Sequence, residues 1–387
     1  MTVAVTGVGV LSAFGVGVES FWDGLVAGRS GVAPIRRFAV PDGALGAEVP
    51  ALDARAFVHS PVGRRIDRVS LMALAACRLA LADAGLGPEA IPPARTGLAI
   101  GTALGNLSET APFLERLHAG RPANPLVFPN MVMNAPLSYA SIELGVTGPS
   151  ALLTEQEASG EAAVAWGASL VAAGDADVCL AGGADELAPI RHQVLREAGV
   201  LPRRPARPFD ASADGAVPGE GAAVLVLEPL ARARARGVRV YACVEPHPGY
   251  GLPSAVHGFP RDAMALAERL APLVEDVDAV FAAASGAPAV DGVEVAALAY
   301  ALGGRQVPVT APRGAIGDFG AAGALVAAAA ALAVFDGAVP PTVGTTDAPR
   351  TLDVVLGDAR RRRVTSALVH GLARGGVCRP VRFCEAG

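Results

Sequence analysis

Residues 319–335 read FGAAGALVAAAAALAVF, the longest apolar run of the chain. Whether this run crosses a bilayer or lies inside a soluble body decides the fold class. It falls short of the ~20 apolar residues that a bilayer requires, and Asp318 and Asp336 bracket it closely. Alanine and glycine dominate it, and side chains that small let helices pack backbone against backbone. The run therefore reads as a buried helix at the centre of a layered α/β protein, with no membrane span.

The rest of the chain agrees with a packed interior. Of 387 residues 52% are hydrophobic and 18% charged, a balance that excludes a disordered chain. The net charge of −5 provides no basic field for nucleic acid or an anionic membrane surface, so neither partner is expected.

Working outward, short apolar strands alternate with helical patterns, the signature of α/β architecture. Strands are expected at VAVTGVGV (3–10), TGLAIGT (96–102), DVCLAGGA (177–184) and AAVLVLEP (222–229), and helices over residues 70–86 and 160–174. The rhythm repeats with a strand in VEDVDAVFAAA, a helix in VEVAALAYALGG, a strand in QVPVTAP, the Ala-rich helix, and a last strand in TSALVHGLARGGV. A stretch rich in Pro, Gly and His, EPHPGYGLPSAVHGFP (245–260), is the expected boundary between two halves, 1–244 and 245–387.

Five cysteines, Cys77, Cys179, Cys243, Cys378 and Cys384, lie far apart with no CxxC and no Cys/His cluster, so no metal site and no cofactor is expected. The start, MTVAVTGVGVLS, has no basic leader, and a cytoplasmic location is expected. Gly7 and Gly9 evoke a dinucleotide fingerprint, but Ser12 holds the third glycine position, and no acidic residue follows at ribose-binding distance. The plainer reading is a tight turn where glycine permits positive φ.

Long, ordered segments resemble the β-ketoacyl synthases of the thiolase superfamily. These are VTGVGVLSAFGVGVESFWDGLVAGRSGV, RIDRVSLMALAACRLALADAGL, RTGLAIGT, FPNMVMNAPLSYASIELGVTGPS, GDADVCLAGGADE and RPFDASADGAVPGEGAAVLVLEPLARARARG. The resemblance implies a thiolase-like α/β fold of two pseudo-equivalent halves in α-β-α-β-α layers. It also implies a catalytic set, since condensation needs a thiolate at a helix N-terminus and two imidazoles that polarise a thioester carbonyl.

That set is altered throughout. The family's Cys-small-Ser-Gly segment is Glu157-Ala158-Ser159-Gly160 here, placing Glu157 at the nucleophile position. A carboxylate cannot carry a transferable acyl thioester. In AASGAPAVDGVE the first His position falls on Ala283, and in APRGAIGDFGAAG, one residue short, the second falls on Asp318 or Gly317, with Arg313 in place of the family's Lys. The loop GLARGG puts Leu372 and Arg374 where the family carries aromatic residues, and Ala216 replaces another large aromatic. Cys179 lies in a strand pattern and reads as a small buried hydrophobe.

A complete body with an emptied site resembles the chain length factor, the ketosynthase-like β subunit of type II polyketide synthases. Glu157, preceded by Gln156, departs from the Gln of the common aromatic-pathway members, so aromatic and polyene pathways both stay open. The resemblance implies an active ketosynthase α subunit and an acyl carrier protein as partners. It also implies an acyl tunnel ending near residues 104–134, with Leu107, Phe113, Leu114, Leu117, Met131 and Met133 as candidate lining or, equally, core residues.

Glu157 has two readings, a carboxylate capping the first amides of its helix or a chemical group in a stand-alone acyl-thioester enzyme aided by Asp318 and Arg313. A scaffold for a partner or carrier protein is a third possibility. His59, His118, His192, His247 and His257 lie outside the matched motifs and read as surface or loop residues. His370 precedes GLARGG and is the one histidine with a route to the pocket.

Overall fold

The computed structural model describes residues 1–61 and 65–387. The 319–335 run forms the helix Ala322–Asp336, whose residues Ala322 to Val334 are all buried. It packs along the helix Ser159–Ala173. A Cβ on Gly160 would collide with the backbone of Ala321 and Ala324, so glycine is what permits this approach. Among the described residues no helix is long and apolar enough to cross a membrane.

These two helices form the middle layer of an α/β fold. Among the described residues the main sheet has 13 strands. Its central path runs through the strands Ser366–Leu372, Val377–Cys384, Ala242–Pro246, Val3–Ser12, Gly221–Pro229 and Val178–Asp185. Neighbours along this path pair antiparallel. Toward both edges the pairing turns parallel, through Ala279–Phe281 and Pro308–Thr310 on one side and Thr96–Gly101 and Ser150–Leu153 on the other. The two parts thus repeat one plan.

Side chains alternate across each strand, and that alternation builds the layers. Val8, Val10, Ala181, Leu225, Phe281, Val369 and Phe383 face the central helices. Leu98, Ile100, Leu180, Val224 and Val226 face the helix Arg68–Asp83 on one outer side. Val280, Leu368 and Val309 face the helices Ala263–Val274 and Pro288–Leu302 on the other. Strands covered on both faces read as unbroken apolar runs, which is why they are so visible in the sequence.

One local expectation changes. Gly7 and Gly9 lie inside the strand Val3–Ser12 rather than at a turn, and neither has positive φ. A Cβ at either would run into the carbonyls of Ala80 and Ala76, so their glycines exist for close helix-on-sheet contact. The 245–260 stretch opens inside the strand Ala242–Pro246, which pairs with both Val3–Ser12 and Val377–Cys384.

Replacing Gly9 by Val drives a branched side chain into the helix Arg68–Asp83. A loss of about 3 kcal/mol, the upper end of ordinary overpacking, is expected in denaturant unfolding, and an unchanged midpoint contradicts this packing role.

Candidate functional site

The strand Ser150–Leu153 leads into a turn of 3-10 helix, Gln156–Ala158, and then into the helix Ser159–Ala173. Gln156 has φ of +52°, an uncommon conformation for a residue with a side chain. The hydroxyl of Ser159 locks the turn, donating to the Gln156 carbonyl at 2.8 Å and accepting from the Glu155 amide at 2.9 Å. Glu157 is thereby held at the mouth of the central helix.

Its carboxylate does not cap that helix. It accepts from the backbone N–H of Arg374 at 3.1 Å and from Arg374 Nε at 2.7 Å, and Arg374 Nη2 completes a fork. Arg374 belongs to the short connection Arg374–Gly376 between the strands Ser366–Leu372 and Val377–Cys384. Burial alone would raise the Glu157 carboxyl, but the Arg374 guanidinium and its hydrogen bonds hold it below the ordinary value. Both guanidinium donors converge on Oε1, and the backbone N–H takes Oε2, so the carboxylate is held by charge-assisted hydrogen bonds at both oxygens.

A second arginine lies beneath. Arg313 is fully buried and donates from Nη2 to the Glu157 carbonyl at 2.9 Å. It pairs with Asp318 Oδ1 at 2.9 Å and with Glu161 Oε1 at 3.3 Å. Burial opposes its charge, and Asp318 and Glu161 outweigh that opposition. Burial raises the Glu161 carboxyl despite Arg313, and its Oε2 has no hydrogen-bond partner.

Ala283 stands just past the strand Ala279–Phe281, its amide donating to Glu294 Oε1 at 3.0 Å. His370 meets the same oxygen through Nδ1 at 2.8 Å. Burial works against a charged imidazole, but hydrogen bonds with Cys378 and Glu294 push His370 up to about 10. The ring is wholly buried beneath the pocket and does not line it. Of the two residues left open for the second His position, Asp318 carries a side chain to the pocket, whereas Gly317 packs against Ala47 and Gly219.

Glu157, Arg374, Asp318 and Ala216 share a cavity of about 810 Å³ with Val293, Phe259 and other apolar residues. Leu372 instead enters the outer core. Of the expected tunnel residues only Leu107 lines a cavity described for this chain, one of about 340 Å³ that also touches Gln156 and Arg374. Leu114 and Leu117 are 53% and 52% exposed on the helix Leu107–His118. Phe113 is partly exposed and rests beside Phe128 with ring centroids 6.5 Å apart. Met131 is partly exposed and Met133 exposed.

Cys179 is fully buried with its thiol pushed up by burial. His192, expected at the surface, is buried against Phe38, and burial lowers it. The basic run 360–363 is neutralised residue by residue, Arg360 by Asp353, Arg361 by Asp336, Arg362 by Asp278 and Arg363 by Glu385. Among the described residues no cluster of three or more His, Cys, Asp or Glu could hold a metal ion.

The N-terminal domain of beta-ketoacyl synthases matches residues 1–233, and their C-terminal domain matches residues 253–346. The chain belongs to the β-ketoacyl synthase family. It is 36% identical to the tetracenomycin polyketide synthase ketoacyl synthase beta subunit of Streptomyces glaucescens, over 97% of this chain and 96% of that one. The alpha subunit from the same organism is 33% identical over 97% and 95%. The solved structure titled "The ishigamide ketosynthase/chain length factor" superposes with a TM-score of 0.94 at 31% identity, covering 100% of this chain and 99% of that one.

Within this β-ketoacyl synthase fold, the Glu157–Arg374 pair is the feature that the sequence motifs do not announce. Arg374→Ala leaves a mostly buried carboxylate without its guanidinium donors and is expected to cost about 1–3 kcal/mol, less when combined with Glu157→Gln. Additive losses in denaturant unfolding contradict the pairing.

The pH dependence follows from the same contact. Because Glu157 is held below its unfolded value, its contribution is complete above the ordinary carboxylate range and disappears as pH falls through the folded value. Glu157→Gln should flatten that acid limb of the stability curve.

Proposed function

We propose that this chain is a non-catalytic chain length factor. It pairs with an active ketosynthase α subunit and shapes that subunit's acyl tunnel in type II polyketide biosynthesis, aromatic or polyene. An acyl carrier protein brings the growing chain, and the pair works in the cytoplasm. The observation that carries the reading is Glu157 at the nucleophile position, bound by Arg374 and accompanied by Ala283 and Asp318 where imidazoles would be needed.

Glu157 cannot form a thioester, and as a carboxylate held by an arginine it is a weak proton acceptor. A chain without chemistry of its own then contributes surface. Exposed apolar side chains support that role: Leu114, Leu117, Leu126, Val132 and Met133 are joined by Phe128, which is 58% exposed. Among the described residues the strand Ser150–Leu153 ends the sheet with one side unpaired by any other strand. An unpaired strand edge and an exposed apolar patch each offer a template for a second chain.

In this reading Phe113, Leu114, Leu117, Met131 and Met133 become tunnel wall only when the partner covers them. The division into halves 1–244 and 245–387 belongs to the same reading, the first half supplying this wall. The likeness to a ketoacyl synthase beta subunit and to a ketosynthase/chain length factor structure supports the role.

Co-expression with the cognate synthase subunit is expected to yield a stable heterodimer, and the heterodimer carrying Phe113→Ala should release longer products than the parent. Failure to form a heterodimer, together with turnover of an acyl thioester by this chain alone, overturns the proposal. An unchanged product profile removes Phe113 from the tunnel.

A further inference from the structure

The pocket at Glu157 consists of two adjoining chambers, of about 810 Å³ and 340 Å³, that have Arg191, Leu195, His257 and Arg374 in common. Glu157 lines the larger and its neighbour Gln156 the smaller. The Arg374 fork on Glu157 therefore stands where the chambers meet. We propose that the Arg374–Glu157 pair is a specificity-determining partition that keeps acyl chains out of this subunit's own pocket. Given the role proposed above, on which this consequence rests, the growing chain is left to the partner's tunnel alone.

The exclusion is electrostatic rather than steric. The small residue Ala216 and a cavity of about 810 Å³ leave ample room for an alkyl chain. To pass from one chamber into the other, that chain would have to separate the guanidinium from Glu157, whose side chain is only 10% exposed. Alkyl groups offer no hydrogen bond in return, so the carboxylate would stay buried and unpaired, an arrangement far costlier than the apolar burial returns.

Two features distinguish this pair from an inert structural contact. The Arg374 side chain is 41% exposed with pocket space on both sides. It is followed by Gly375 and Gly376 at φ of +77° and +83°, left-handed geometry that glycine adopts without strain and that fixes where the loop delivers the guanidinium. The backbone N–H of Arg374 also binds Glu157, so loop and side chain act together.

The test is a calorimetric titration with octanoyl-N-acetylcysteamine of the complex with the synthase partner, its nucleophilic cysteine blocked by iodoacetamide. The same blocked partner in every sample sets the baseline. Arg374→Ala is expected to take up one more equivalent per complex than the parent, and Arg374→Lys, which keeps the charge pair, to stay at the parent's number. Equal uptake by the parent and Arg374→Ala, at an unchanged melting temperature, overturns the partition. If Arg374→Ala does not fold, Arg374→Gln replaces it, gaining the site if the partition holds and matching the parent if it does not. If no complex forms, the chain-length reading falls, while the chain alone still decides the partition by binding no equivalent as the parent and one as Arg374→Ala.

Discussion

The buried guanidinium of Arg313 is the contact around which the centre of this molecule is arranged. It reaches the Glu157 carbonyl and Glu161 at the start of one central helix, and Asp318 and the Phe319 carbonyl just before the other. A charge in that position is costly unless it is paired and hydrogen-bonded, so the residues around it cannot vary independently. Asp185 adds a second tie, accepting from Thr102 Oγ1 at 2.6 Å and from the Ala321 amide at 2.7 Å. The site is thus fixed by polar contacts between elements that the apolar layers bring together.

Condensation would use the same helix mouth differently. A thiolate nucleophile needs donors that stay free to stabilise an anion as it forms, and imidazoles free to exchange hydrogen bonds with a substrate. Here the charged groups are engaged chiefly with one another. Arg374 is bound to Glu157, Arg313 to Asp318 and Glu161, and His370 to Glu294. The charges pair among themselves, while Arg313 Nε and His370 Nε2 keep no hydrogen-bond partner among the described residues.

The layers were legible because their signals are local and dense. The Ala-rich run and the doubly covered strands each carry their pattern within a few residues, and glycines mark the close approaches. Glu157, Ala283 and Asp318 stand out in the sequence because they interrupt motifs of fixed spacing. The pairing of Glu157 with Arg374 is not legible there, for a physical reason: the two are 217 residues apart and meet only when the sheet brings the last loop over the central helix. Glu161 reads as an ordinary polar position in an apolar helix until Arg313 is seen beside it. His192 reads as a surface residue because nothing in its own helix reveals that Phe38 covers it.

The apolar patch shows the same division between local and long-range information. Leu114 and Leu117 read in the sequence as tunnel lining or core, yet with Phe128 they lie on the surface of this chain, and the helix Leu107–His118 has no fully buried residue. A helix whose apolar side chains find no core of their own is incomplete by itself, since isolated helices draw most of their stability from packing. Covering it removes apolar surface from water at roughly 25 cal/mol per Å². The exposed patch and the buried charge cluster are built from different residues, so either could be altered without the other.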